Sequence, residues 1–345
     1  MKTERVLVTG SEGYIGAVLV KILLNAGYKV TGTDTLLYSD KPITPSGRSG
    51  YEFIRADIRD TESFDLTPYG AIIHLSALSN DPTGELNPTL TEDINFKATI
   101  ALAKKAKAQG VKRFLFSSSC SVYGIAENGV VNEESEINPL TAYAKSKIAS
   151  EEELKKLIDA DFSVGLLRNS TVYGYSPSFR NDLVVNNFTT CALATKKIKV
   201  MSDGSPWRPL IDVRDISTVF MEFLKIEAAK INGEVFNIGF DENNVQVRDI
   251  LDIVKKAVVG CEVIYTGEHG KDTRSYKVSF KKFAALFPHV KQRWSIEKSV
   301  KDMIRELSKI NYSESDFAGN KFSRLAQIKK KLDSGNLDTT LRWHY

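Results

Sequence analysis

Tyr143 and Lys147 stand four residues apart in the segment YAKSK, so on a helix the phenol and the ammonium share one face and converge. An ammonium beside a phenol favours the phenolate, which makes tyrosine a usable general base near neutral pH. Upstream, SSSCSVYG at 117–124 ends a strand-like run in hydroxyls. Ser119 is placed to bridge a substrate hydroxyl to Tyr143, while Ser117 and Ser118 are suited to satisfying backbone groups at the strand end. Near the start, TGSEGYIG at 9–16 has the glycine spacing of a turn that cradles a dinucleotide. Gly10 lets the chain turn sharply after a strand, Gly13 lets the backbone approach a pyrophosphate, and Gly16 lets the following helix pack closely. Free N–H groups at that helix start then face the phosphates. Asp34, about 20 residues further on, ends the second strand, where a carboxylate accepts from a ribose 2′-hydroxyl and repels a 2′-phosphate. The expected cofactor is therefore NAD rather than NADP, with Ser119, Tyr143 and Lys147 moving the proton.

Bringing these segments together requires a parallel sheet. ERVLVTG, YKVTGTD, YEFIRAD, YGAIIHLSA, VKRFLFSS and FSVGLLRNS read as buried strands, separated by amphipathic helix patterns that include 14–26, 91–109 and 142–159. That alternation predicts an α/β fold, a doubly wound parallel sheet of Rossmann type. Asp57, in RADIRD, reads equally as an adenine contact or a helix cap. The stretch 75–79 leaves the fourth strand with small residues where a dinucleotide would cross the sheet edge. Beyond Tyr173 the pattern loosens: GYSPSFRNDLVVNNF and SDGSPWRPLIDVRD mix Pro, Gly, Arg and aromatic residues, as loops over a ligand site do. A strand at GEVFNIGF, a helix over 246–259, a strand at CEVIYTG and a helix over 295–310 follow. The expected division is an NAD-binding domain at 1–172, joined again by elements near 211–240, and a smaller α/β substrate lobe built mainly from 173–345.

Composition narrows the function classes. The 345 residues carry 47 Lys and Arg against 43 Asp and Glu, a net charge of +4, which gives no argument for nucleic-acid binding. The Lys-rich stretches near 271–282 and 329–331 read as solvated faces. Cys120, Cys191 and Cys261 are odd in number and far apart, and the four histidines are equally scattered, so no metal is expected. Apolar runs are of strand length and broken by charge, so no membrane span is expected. MKTERVLVTG runs into a strand pattern rather than a signal peptide. A soluble, cytoplasmic chain is the expectation.

Taken in order, TGSEGYIG, Asp34, HLSALS, Asn95 in INFKAT, SSSCSVYG, YAKSK, LRNSTVYG and DGSPWRPLIDVRD resemble the extended short-chain dehydrogenase/reductase superfamily, in particular nucleotide-sugar epimerases and dehydratases related to UDP-glucose 4-epimerase. The resemblance implies that Tyr143 is the catalytic base, Lys147 holds the nicotinamide ribose, and Ser119 bonds the reacting sugar hydroxyl. It also implies that Ser76, Ala77, Ser79, Asn95 and Ser170 line the cofactor, as do Tyr14, Ile15, Ile58, Leu75 and Ser117 of the matching segments. Arg208, then Arg180 and Arg274, become candidates for the substrate diphosphate, with Ser121 and Thr171 beside the sugar. It further implies a homodimer through the helices at 91–109 and 142–159, although Ile100, Leu102 and Ala106 suit the chain's own sheet equally well.

Departures from that pattern are informative. Where the sugar 4,6-dehydratases carry an Asp–Glu pair, this sequence has Cys120 and Ser121, so the acid and base for eliminating water are missing. Thr171 replaces the Asn usual in UDP-sugar epimerases, which puts UDP-glucose itself in doubt. The leading expectation is an NAD-dependent nucleotide-sugar epimerase that oxidises a sugar hydroxyl, at C4, to a transient ketone. A 4-dehydrogenase or 4-ketoreductase using the same residues, and a catalytically idle NAD-binding regulatory protein, are the competing readings.

Overall fold

Alternation along the strands assigns every side chain to one of two cores. Val6, Val8, Ala71, Ile73, Leu115 and Leu167 pack on one face of the main sheet, and Leu7, Ile72, Phe114, Phe116 and Leu166 on the other. The computed structural model describes residues 5–39, 41–44, 47–124, 129–266, 275–319 and 321–344. Its seven-stranded sheet runs Val235–Ile238, Ser163–Asn169, Arg113–Ser119, Ala71–His74, Arg5–Thr9, Lys29–Asp34, Tyr51–Arg55, with every pairing parallel. The order reverses between Arg5–Thr9 and Ala71–His74, and ligands bind outside the carboxyl ends of strands at such a reversal.

Helices cover both faces. Gly16–Asn25 and Val213–Lys225 bury Leu19, Leu23, Ile216, Val219 and Phe220 on the first, and Ala98–Ala108 and Ala142–Lys155 bury Ile100, Leu102, Ala106 and Leu154 on the second. The long helix expected over 91–109 is built in three parts: Pro88–Glu92, a π-helical turn Asp93–Lys97, and Ala98–Ala108.

At Ser170 the chain leaves the main sheet. Thr171–Tyr173 pairs in parallel with Trp207–Asp212, which also pairs with Asn244–Gln246 in antiparallel fashion. A separate core joins Val184–Thr195, Val247–Ala257 and Ile296–Ser308. The first of these helices lies inside a stretch whose composition reads as loop. Its Thr189 and Thr190 hydroxyls donate to carbonyls one turn back, at 2.7 and 2.8 Å, which removes the polar cost of burying them. The tail also differs from expectation. Arg324–Asp333 and the residues after it pack Ile328, Leu337 and Leu341 against Leu37, Leu78 and Leu90, on the nucleotide-binding half rather than the second lobe.

His74 closes the fourth strand fully buried, its ring nitrogens 2.8 Å from the hydroxyls of Thr9 and Thr99. Burial pushes its pKa down to about 3, so the ring is neutral in the fold. The unfolded chain, with an ordinary histidine near 6.5, takes up a proton that the folded chain refuses. The associated stability is full above pH 6.5 and falls as pH drops toward 3, by about 1.4 kcal/mol per pH unit. Urea unfolding at pH 7 and pH 5 should show this loss, and His74→Gln should shrink the difference between the two. An unchanged difference in the variant would place the acid sensitivity elsewhere.

Candidate active site

Above the reversal point lies a cavity of about 1130 Å³, larger than the roughly 300–1,000 Å³ that one small ligand needs. The glycine turn forms its floor. Gly10 has φ +71°, and a Cβ there would stand 2.9 Å from the backbone nitrogen of Ser76; a Cβ on Gly16 would stand 2.1 Å from the Gly10 carbonyl oxygen. Neither position admits a side chain. Gly13, Tyr14 and Ile15 complete this floor at the start of the helix Gly16–Asn25. Glu12 lies within the same turn, where a carboxylate would repel phosphate. The fold turns it away: it is buried, accepts from the Tyr51 hydroxyl at 2.8 Å, and takes the Ile43 and Thr44 amides.

Asp34 faces the cavity and accepts from the Leu36 amide at 2.8 Å and the Glu12 amide at 3.2 Å. Burial pushes its carboxyl up, against those two donors. Asp57 and Ile58 line the same end. The Asp57 carboxylate caps its own turn by accepting from the Arg59 amide at 2.9 Å, and is also gripped by the Arg59 guanidinium. Leu75, Ser76, Ala77 and Ser79 form the opposite wall. Asn95 is not part of that wall. It sits buried behind it, accepting from the Leu78 amide at 2.8 Å and donating to the Leu78 carbonyl at 3.2 Å, so it shapes the cofactor wall instead of touching the cavity.

Ser119, Tyr143 and Lys147 line the same cavity. Ser119 finishes the strand Arg113–Ser119, and its hydroxyl accepts from the Ser121 amide at 3.1 Å, capping the turn Cys120–Tyr123. Thr141 caps the helix Ala142–Lys155, placing Tyr143 in its first turn and Lys147 one turn later. Lys147 is 3% exposed; its Nζ donates to the Ser117 carbonyl at 2.7 Å and lies 4.7 Å from the Phe116 ring and 5.6 Å from the Tyr143 ring. Burial pushes this ammonium down to about 7, opposed by the nearby Glu151. Ser117, Ser119, Tyr143 and Lys147 all line the cavity, and the Ser117 hydroxyl accepts from Asn169 Nδ2 at 2.9 Å.

Behind them is a set the sequence reading missed. Ser118 does not serve backbone groups: its hydroxyl donates to Glu151, whose carboxylate pairs with the buried Arg168 at 2.7 Å. Arg168 also donates to the Tyr123 hydroxyl at 3.0 Å, and that hydroxyl donates to Asn237 at 2.7 Å. The available signal was an arginine inside an otherwise apolar strand, which demands a buried partner, and Glu151 one turn beyond Lys147 on the same helix face.

Ser121, Ser170, Thr171 and Arg208 also line the cavity. The Ser170 hydroxyl donates to the Ile238 carbonyl at 2.8 Å. Arg180 is placed differently from the sequence reading. Its guanidinium is buried, pairs with Asp182 at 2.8 Å, and lies 3.3 Å from the Ser79 hydroxyl on the cofactor wall. Arg274 falls outside the described residues. Cys120, in the place of a dehydratase carboxylate, is a buried thiol donating to the Arg168 carbonyl at 3.1 Å, and burial pushes its pKa further up. Among the described residues no group of three or more His, Cys, Asp or Glu is arranged to hold a metal. A turn closed to side chains, an inward carboxylate at the ribose position, and the buried Asn169 Oδ1 and Ser121 Oγ with no internal partner all fit NAD and a polar substrate.

The profile of the NAD dependent epimerase/dehydratase family matches residues 6–239, from the first strand to the last strand of the main sheet. The chain belongs to this family. Among curated relatives, this family member is 32% identical to a UDP-glucose 4-epimerase of Mycolicibacterium smegmatis, over 68% of this chain and 77% of that one. It is 29% identical to the UDP-glucose 4-epimerase of Bacillus subtilis, over 75% and 84%. Among solved structures, MoeE5 in complex with UDP-glucose and NAD superposes with a TM-score of 0.75 at 26% identity, covering 89% of this chain and 99% of that one. The family's cofactor is NAD.

Replacing Glu151 by Gln should leave Arg168 buried with no counter-charge, at a cost of about 3–5 kcal/mol. Denaturant unfolding checks this. Restoring most of the loss with a second change, Arg168→Met, would locate the effect in the ion pair.

Proposed function

We propose that this protein is a nucleotide-sugar epimerase acting at C4 through transient oxidation of the sugar hydroxyl. One observation carries the reading: Ser119, Tyr143 and Lys147 line one end of a cavity whose other end holds the glycine turn, while Cys120 and Ser121 stand where a dehydratase would carry its carboxylates. The curated 4-epimerases among its relatives support it.

NAD, held by the Gly10–Gly16 turn and Asp34, supplies a reversible hydride acceptor when bound. The chain's own residues manage the proton and the geometry. Lys147, buried and anchored to the Ser117 carbonyl, places its charge beside Tyr143, where a cation favours the phenolate. Tyr143 takes the proton from the sugar hydroxyl and later returns it. Ser119, fixed by its cap, holds that hydroxyl toward Tyr143. Arg208, which lines the cavity, is suited to a nucleoside diphosphate. Cytoplasmic placement is supported by three free cysteines. A homodimer through the two helices would use polar faces, such as Lys97, Lys104 and Glu152, because Ile100, Leu102 and Ala106 are buried in the chain's own core.

Proton NMR of the protein with a panel of nucleotide sugars and no added cofactor tests the proposal. Catalytic interconversion of one sugar with its C4 epimer is the expected outcome. Stoichiometric ketone, or no change until NAD or NADH is supplied, would assign a dehydrogenase or reductase, and NAD binding without any turnover an idle protein. Tyr143→Phe should lower kcat by about 10²–10⁴ with NAD binding retained; near-normal turnover in that variant would remove Tyr143 from the chemistry.

A further inference from the structure

Among the arginines that line the cavity, Arg180 and Arg324 lie within electrostatic reach of each other, and of these two only Arg180 forms a salt bridge among the described residues. Arg180 is 6% exposed and paired with Asp182. Arg324, from the helix Arg324–Asp333, is 4% exposed. Its Nη2 donates to the Ser178 carbonyl at 3.2 Å and the Ser178 hydroxyl at 2.6 Å, and its guanidinium lies 4.0 Å from the centre of the Tyr38 ring. No carboxylate pairs with it among the described residues. A buried cation without an ion-pair partner is costly, and a second cation in reach makes it more so. Burial and then repulsion by Arg180 lower the Arg324 pKa to about 10, opposed more weakly by Tyr38 and the Asp182 and Asp34 carboxylates. Such a pair becomes favourable when an anion completes it.

Position says which anion. Arg180 touches Ser79 on the wall opposite the glycine turn and lies within electrostatic reach of Tyr14 in that turn. Arg324 is electrostatically coupled to Arg180, Asp182 and Asp34. With the adenosine ribose on Asp34, guanidinium groups coupled to Asp34 and to the glycine turn would be in reach of the neighbouring diphosphate.

Resting on the assignment of NAD to this cavity, we propose that Arg324 and Arg180 form the second half of the cofactor diphosphate clamp, opposite the glycine turn, and that the stretch 324–344 thereby straps NAD into the protein. The rest of that stretch is fastened to the adenosine end. Arg59, which grips Asp57, donates to the Thr340 carbonyl at 2.7 Å; Arg342 pairs with Asp60 at 2.8 Å; Trp343 Nε1 donates to the Thr35 carbonyl at 2.7 Å. Leu341 forms part of the cavity wall.

The test uses the full chain as wild type, Arg324→Met, Arg324→Lys and Trp343→Ala. NAD released from each purified protein on denaturation is counted, and calorimetry on stripped protein gives the dissociation constants of NAD and of UDP. Arg324→Met should retain at least tenfold less NAD and bind it at least tenfold more weakly, with UDP affinity unchanged. Arg324→Lys should fall between, and Trp343→Ala should speed NAD release. Stripped Arg324→Met should unfold at a temperature no lower than the stripped wild type, while gaining less from added NAD, an outcome that a merely structural arginine would not give. Wild-type NAD content and affinity in Arg324→Met would overturn the proposal. So would a loss confined to UDP, which would give the pair to the substrate diphosphate. Failure of the wild type itself to bind NAD would instead refute the cofactor assignment beneath it.

Discussion

A single buried ion pair, Glu151 with Arg168, sets the register on which the reactive end of the cavity depends. It joins the helix that carries Tyr143 and Lys147 to the strand Ser163–Asn169, and through Ser118, Tyr123 and Asn237 it reaches two more strands and the turn after Ser119. Side chains alternate along a strand, so Ser118 facing Glu151 obliges Ser119 to face the cavity. A one-residue slip between Arg113–Ser119 and its neighbour would exchange the two hydroxyls. Two well-packed apolar residues would hold the layers together at less desolvation cost. They would not specify which serine points forward.

A second constraint links the two lobes through the glycine turn itself. The Tyr14 hydroxyl donates to the Gly174 carbonyl at 2.5 Å and accepts from Asn186 Nδ2 at 3.0 Å, while Ser176 donates to the Tyr14 carbonyl at 2.7 Å. Close by, Arg214 bridges Asp212 and Asp302 and lies against the Trp294 ring. The glycine turn is thus fixed to the loop that follows Thr171–Tyr173.

Motifs that act through backbone shape or helix spacing were legible in the sequence. The glycine turn, Asp34 and the Tyr143–Lys147 pair depend on local rules, and each lies at the cavity as its spacing implies. What escaped depends on contacts distant in the chain. Arg168 and Glu151 carry no motif, Asn95 lies one layer behind the wall that its family resemblance assigns it to, and Arg180 belongs to the cofactor side only because Ser79, some hundred residues earlier, comes to meet it. The helix Val184–Thr195 was hidden because it begins within 174–188, whose Pro, Gly, Arg and aromatic residues read as loop. The tail was hidden by its lysines: Leu325, Ile328 and Leu332 make too thin a stripe to announce a docking partner at the far end of the sequence.

That tail has a bearing on how the protein is made. The cavity wall begun near Asp34 is finished by Arg324 and Leu341, about 290 residues later in synthesis. At roughly 5–20 residues per second, that interval lasts on the order of 15–60 s. The main sheet is complete only once Val235–Ile238 has been made, which leaves about 86 residues, on the order of 4–17 s, in which sheet and glycine turn can meet cellular nucleotide while this side of the cavity stands open. Enclosure comes as a late event on the ribosome, so the order of the chain gives cofactor capture a time as well as a place.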